Sequence, residues 1–188
     1  MFFSAGYWPN VRNWGIVCTN EALAEFIFSL FFQKKPEPTD TKGNTMSWET
    51  YRHRCQVRVR FGDTDPYNIV YFVSYFRYCH RAVEEYLRSL GLPPEDTLRN
   101  VAEGFGLPIV EAHGKFLRPS RYGDLLEIET GVSEVRRKAI IFQFRFFPLG
   151  QEDLLAEGTA TLVAISKDWR AIPIPERVLG RLLTAGAT

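Results

Sequence analysis

The sequence predicts an α+β chain, in which an antiparallel sheet of about five strands packs on one long helix. Three observations predict it. Residues 54–61 alternate: Cys55, Val57, Val59 and Phe61 lie on one side and Arg54, Gln56, Arg58 and Arg60 on the other, the period of a half-buried strand. Ser74–Leu90 carries a helical period, with Tyr75, Tyr78, Cys79, Ala82, Val83, Tyr86 and Leu90 on one face and Arg77, Arg81, Glu84 and Arg88 opposite. From Leu107 onward the chain is strand-like in four further runs joined by short links.

The first strand runs into Asp63, Asp65, Pro66 and Asn68, a turn-forming set. The helix follows, with Ser74 as its expected N-cap and Gly91, Pro93 and Pro94 as its stop. A carboxylate is therefore held between the exit of a strand and the entrance of a helix. Helix entrances point free N–H groups outward and stabilise negative charge. That arrangement suits a hydrolytic site.

Glu95–Phe105 reads as loop or short helix. Leu107–Leu117 is one strand-like run, punctuated by Gly114. Leu125–Val135 alternates, with Leu126, Ile128, Thr130 and Val132 inward and Glu127 and Glu129 outward. Ala139–Phe147 does the same, with Ile140, Phe142, Phe144 and Phe146 inward and Gln143 and Arg145 outward. Asp153–Ser166 is the last strand-like run, and Pro175–Leu183 suits a short helix. The links Glu134–Lys138 and Pro148–Glu152 suit antiparallel hairpins.

Residues 1–45 are unlike the rest. Met1–Asn20 has no clear period, and Glu21–Gln33 fits a short apolar helix that carries Glu21 and Glu25 and is too short to cross a bilayer. Its lysines, Lys34 and Lys35, follow the apolar run, the reverse of a secretory signal. Lys34–Asn44 is a polar linker with prolines, and Met46 follows it. The expectation is a dispensable extension over 1–45 and a folded domain over 46–188. A partner-binding or membrane-surface helix is the alternative for 1–45, and packing onto the domain is a third.

A chain of 188 residues is expected to hold one main domain, and its fifteen phenylalanines can fill a core. Net charge is +1, which gives no signal for nucleic acid or a membrane surface. Cys18, Cys55 and Cys79 lack metal or disulfide spacing, so no zinc site is expected and a reducing cytoplasm is the simplest compartment. There is no Gly-rich phosphate loop, GxSxG elbow or metal-ligand cluster.

The run Asp63-Thr64-Asp65-Pro66-Tyr67-Asn68-Ile69-Val70-Tyr71, followed by Ser74-Tyr75, resembles the 4-hydroxybenzoyl-CoA thioesterase family of hotdog-fold proteins. The resemblance continues through Gly91-Leu92-Pro93-Pro94, Leu107-Pro108-Ile109-Val110, Gly123–Thr130 and Arg136-Arg137-Lys138, and covers about Thr50 to Leu183. It implies a hotdog, the sheet wrapped around the helix. It also implies an acyl-CoA thioesterase that needs no cofactor beyond the coenzyme A of its substrate, and at least a dimer, since one copy presents half a site. Homodimer and homotetramer both stay open, as does a non-catalytic acyl-binding or scaffold protein of the same fold.

The resemblance gives Asp65 the role of nucleophile or general base on the thioester. On its own spacing Asp65 is equally a turn residue that caps local N–H groups. Asp63 reads as structural. The Phe72 N–H aligns with the family's oxyanion donor, a role that does not depend on the side chain. Asn68 stands where the family has glycine and still reaches left-handed backbone. Tyr67 replaces a small residue and narrows the acyl pocket, with Tyr71 beside it. His80, at the border of the apolar helix face, either tunes Asp65, contacts substrate or is structural. Glu85 is the runner-up carboxylate, because a different hotdog subgroup places its acid on the helix. Arg136, Arg137 and Lys138 either hold coenzyme A phosphates or are a solvated hairpin tip, and Arg118 and Arg121 are candidates to extend that surface.

Overall fold

A computed structural model describes residues 51–185, so the expectation for residues 1–45 lies outside the described residues. The elements in order are β1 (Arg52–Arg58), a 3-10 turn (Phe61–Asp63), α1 (Phe72–Ser89), α2 (Pro94–Thr97), β2 (Arg99–Asn100) and β3 (Phe105–Gly106). Then come β4 (Ile109–Phe116), β5 (Leu125–Val135), β6 (Ala139–Pro148), β7 (Ala156–Val163), β8 (Ile165–Ser166) and α3 (Glu176–Ala185). Five strands form one antiparallel sheet in the order β1-β5-β6-β7-β4, and β2-β3-β8 form a small second sheet. Helix α1 contacts β1, β5 and β4, so the large sheet wraps it.

The inner face is apolar because the period-two residues read from the sequence point at α1. Leu126, Ile128, Ile140, Phe142, Phe144 and Phe146 are all essentially inaccessible to solvent. Tyr86 of α1 meets Phe142 edge-on at 5.4 Å, and Tyr75 meets Phe146 at 5.2 Å. Burying such a side chain contributes roughly 1.5–3 kcal/mol. This contact, more than helix propensity, holds α1, since an isolated helix of about this length is marginal in water. At Gly158 of β7 a Cβ would lie 2.7 Å from the His113 carbonyl oxygen of β4, so only glycine permits that strand approach.

The outer face carries a charged row one residue wide. Arg54 of β1 stands opposite Glu129 of β5, Glu129 opposite Arg145 of β6, Arg145 opposite Glu157 of β7, and Glu157 opposite Lys115 of β4. Signs alternate across all five strands, which favours each cross-strand neighbour. Glu129 does point outward as expected, yet it is buried, because Arg52 (3.2 Å) and Arg54 (2.8 Å) close over it.

Five expectations differ from the structure. Helix α1 begins at Phe72, not Ser74, and its N-cap Tyr71 makes no side-chain cap bond. Phe61 does not continue β1: it opens the 3-10 turn, is exposed, and lies edge-on to Tyr122 at 6.2 Å. The stretch read as loop or short helix contains α2 and two two-residue strands, and the single run expected over 107–117 starts only at Ile109. The run expected over 153–166 is divided between β7 and β8. The stop of α1 is as read. Gly91 has φ 68°, the Leu92 N–H donates to Leu87 O and the Gly91 N–H to Arg88 O, the Schellman pair that positive φ makes possible.

Candidate active site

Residues 63–72 fold back on themselves between β1 and α1. Thr64 bridges Val70, the Asp65 N–H donates to Ile69 O at 2.9 Å, and the Asn68 N–H donates to Asp65 O at 2.9 Å. Asn68 takes φ 61°, the left-handed conformation that the family's glycine would supply. The loop is pinned from outside by the Val70 N–H on Ser120 O at 2.8 Å and by the bridge between Ile69 and Arg121.

Asp65 Oδ1 accepts the N–H of Tyr67 at 2.9 Å and of Ile69 at 3.4 Å. The other oxygen, Oδ2, has no hydrogen-bond partner among the described residues. The turn-capping reading of Asp65 is what these bonds show. One oxygen caps the turn and fixes the carboxylate, and the second carries no bond among the described residues.

Asp63 is the joint between this turn and the helix. Its carbonyl accepts the Tyr71 N–H (2.8 Å) and the Ser74 hydroxyl (2.9 Å), and its Oδ2 accepts the Arg60 N–H (3.0 Å). Arg77 donates to Asp63 Oδ1 (3.0 Å) and to Ser74 Oγ (2.8 Å). These bonds start α1 at Phe72 and draw Ser74 inside it. The Phe72 N–H, first in the helix, has no intrahelical acceptor and no other acceptor among the described residues. It emerges next to Tyr71, whose N–H the Asp63 carbonyl holds, two residues before Asp65 in the chain. The Tyr78 hydroxyl is buried near Asp63 without closing a bond of good geometry; burial first, then that carboxylate, push its pKa up.

The aromatic side chains around the turn face outward. Tyr67 is 84% exposed, and Tyr71 is exposed and edge-on to Phe72 at 4.6 Å. His80 is exposed on α1 with Nε2 3.4 Å from Glu84. Glu85 is held by Arg88 at 2.7 Å. A cleft of about 350 Å³ lined by Pro119, Leu126, Pro148 and Leu155 does not include Asp65.

The basic run lies elsewhere. Arg136 pairs with Glu134 at 2.9 Å, Lys138 donates to the Ala171 carbonyl at 2.8 Å, and the exposed Arg137 side chain makes no ion pair among the described residues. The Asp65 turn adjoins Ser120–Asp124, just before β5, whereas Arg136 follows the last residue of β5. The 11 residues of β5 span about 35 Å at ~3.3 Å per residue. Arg118 and Arg121 sit at the Asp65 end, and Arg118 is paired with Asp153 at 2.6 Å, so neither extends the Arg136–Lys138 surface within one chain. The sequence marks Arg77 only as a surface cation and Ser120 only as a flanking residue. With Ser74 read as the N-cap, Arg77 falls in the first turn, where the dipole disfavours a cation, and that is the signal available for it.

Among the described residues no group of three or more His, Cys, Asp or Glu could hold a metal ion, and no helix is long and apolar enough to cross a membrane.

Residues 59–182 match the profile of the thioesterase-like superfamily. The 4-hydroxybenzoyl-CoA thioesterase of Pseudomonas sp. (strain CBS-3) is 36% identical over 128 residues, 64% of this chain and 89% of that one. A 1,4-dihydroxy-2-naphthoyl-CoA hydrolase of Synechococcus elongatus is 34% identical over 129 residues, 67% of this chain and 91% of that one. A solved 4-hydroxybenzoyl-CoA thioesterase variant complexed with 4-hydroxybenzoyl-CoA superposes with a TM-score of 0.63 at 30% identity, over 70% of this chain and 98% of that one.

Proposed function

This chain belongs to the thioesterase-like superfamily and is a thioester hydrolase, and we propose that it cleaves an acyl- or aroyl-CoA to the free acid and coenzyme A with Asp65 as its catalytic carboxylate. The observation that carries this reading is the state of Asp65. Its Oδ1 is fixed by two backbone donors, and neither its Oδ2 nor the N–H of Phe72, at the far end of the same folded-back loop, has a hydrogen-bond partner among the described residues.

The chemistry follows from those two groups. The thioester carbonyl oxygen accepts the Phe72 N–H, which stabilises the negative charge that develops on attack. Asp65 Oδ2 either takes a proton from the attacking water or itself attacks the carbonyl carbon, giving an anhydride that water then opens. In both routes a C–O bond forms, the C–S bond breaks, and the thiolate leaves and takes up a proton. Water is the only co-reactant, so no cofactor is required. Tyr67 and Tyr71, exposed at the turn, and His80, exposed on α1, are the candidates to contact the substrate.

The site is built by two copies. Asp65 and the Arg136–Lys138 hairpin are at opposite ends of β5 in one chain. Among the described residues, edge strand β4 has an unpaired side, and antiparallel pairing of two β4 edges about a two-fold axis reverses one sheet against the other. Such a dimer carries the basic hairpin of one copy toward the Asp65 turn of its partner, where Arg137 and its neighbours meet the coenzyme A phosphates. A cytoplasmic setting, where acyl-CoA is made, agrees with this role.

The test is thiol release from a panel of aliphatic and aromatic acyl-CoAs. Turnover of at least one is expected, with aroyl thioesters first by analogy with the relatives above. Tight acyl-CoA binding with no thiol release would favour the acyl-binding alternative.

A further inference from the structure

Trp169 occupies a backbone conformation that its side chain does not favour. It sits at φ 59° in the tip of a hairpin in which Ser166 N–H donates to Arg170 O at 2.8 Å, Trp169 N–H donates to Ser166 O at 3.0 Å, and Ile165 bridges Ala171. The left-handed position that closes such a three-residue loop normally goes to glycine or asparagine, and a bulky residue there is an outlier. The other described non-glycine residue at positive φ is Asn68, which tolerates it. The core gives nothing back for Trp169. It is 73% exposed and stacks on no ring among the described residues. An outlier of this kind points to a use outside the fold.

The surroundings say what kind of use. Lys167 and Arg170 flank the indole, and Asp168 is the one acid in the tip. The returning strand is fastened to the β5–β6 hairpin, since Lys138 Nζ donates to Ala171 O at 2.8 Å and the Ile174 N–H to Arg137 O at 3.0 Å. The side chains of Arg137, Lys167 and Arg170 make no ion pair among the described residues. An exposed indole with Lys167 and Arg170 in the same tip, and with Arg137 on the hairpin to which its strand is fastened, matches a purine carrying phosphates. Base–aromatic stacking typically changes affinity about 5- to 150-fold per base, and arginine suits phosphate.

We propose that Trp169 is the platform on which the adenine of the substrate's coenzyme A stacks, with Arg137, Lys167 and Arg170 holding its phosphates. The inference rests on the acyl-CoA reading above and deepens it. It selects coenzyme A over a carrier protein, whose pantetheine arm bears no adenine. Because this end of the sheet is remote from Asp65 in the same chain, the platform serves the site whose Asp65 comes from the other copy.

The test compares wild type, Trp169→Gly and Trp169→Phe on one acyl group presented as its coenzyme A thioester and as its pantetheine thioester. Glycine suits φ 59°, so Trp169→Gly is expected to fold with a melting temperature at or above that of wild type. Its KM for acyl-CoA is expected to rise about tenfold with kcat unchanged, and its KM for acyl-pantetheine to stay put; Trp169→Phe should recover most of the loss. Equal shifts on both thioesters, or no shift on either, overturn the platform. Calorimetry with adenosine 3′,5′-bisphosphate separates this from failure of the activity itself. Binding to wild type that weakens in Trp169→Gly supports the platform even if no thioester is turned over, and no binding to wild type overturns it.

Discussion

Arg77 Nη2 lies 3.0 Å from Asp63 Oδ1, and this contact fastens the second turn of α1 to the turn that carries Asp65. The arginine is mostly exposed, and exposed pairs typically contribute about 0.2–1 kcal/mol. Its role is positional. Small displacements at a reacting centre cost more rate than stability. Arg77→Ala is expected to lower kcat about tenfold with little change in KM, while thermal unfolding shows a loss below about 1 kcal/mol. A normal kcat would mean that the Asp63 carbonyl bonds alone hold the turn.

Stability should fall at alkaline pH. Burial first, then the Glu85 charge, push the Cys55 thiol from 9.0 to about 11. Burial also raises the hydroxyls of Tyr75, Tyr78 and Tyr86. These groups hold protons in the folded chain that the unfolded chain gives up. For Cys55 that stabilisation is complete below about pH 9 and is lost as pH rises through about 11, and the tyrosines add to the loss above their ordinary value of 10. Melting temperature measured from about pH 8 to 11.5 should decline across that window, and less steeply in Cys55→Ala. A flat profile would contradict the assigned burial.

A shared site predicts complementation between copies. The triple variant Arg136→Ala, Arg137→Ala, Lys138→Ala should raise KM for acyl-CoA and spare kcat, since phosphate contacts remote from the carbonyl act as uniform binding. Asp65→Asn should be nearly inactive. Mixed dimers of the two contain one site with both parts intact. Co-refolding them should restore turnover at wild-type KM, at roughly a quarter of wild-type activity when about half the dimers are mixed. Activity with only the raised KM would place both parts in one chain.

What the sequence made legible is what local periods encode. The buried residues of α1 follow from a period of 3.6, and those of β5 and β6 from a period of two. The Asp65 turn was legible too, because its proline, asparagine and aspartates act within a few residues. The start of α1 was not. It depends on the Asp63 carbonyl and on Arg77, so local capping chemistry pointed to Ser74 instead. The burial of Glu129 was hidden for a similar reason, since the two arginines that cover it arrive from another strand. Strands β2, β3 and β8 are two residues each and too short to show any period. The separation of Asp65 from the basic hairpin appears only once strand order and the length of β5 are known.

The central claim is that Asp65 is the catalytic carboxylate, and single-turnover kinetics of Asp65→Asn beside Glu85→Gln test it most directly. The amide in Asp65→Asn keeps the shape of the side chain and the capping bond and loses the charge. General-base assistance alone typically contributes about 10²–10⁴-fold, so kcat is expected to fall at least about a hundredfold with substrate binding nearly unchanged. Glu85→Gln, which removes the 2.7 Å ion pair with Arg88, should stay within a few-fold of wild type. Near-normal turnover in Asp65→Asn together with collapse in Glu85→Gln would contradict the account and move the catalytic acid onto α1.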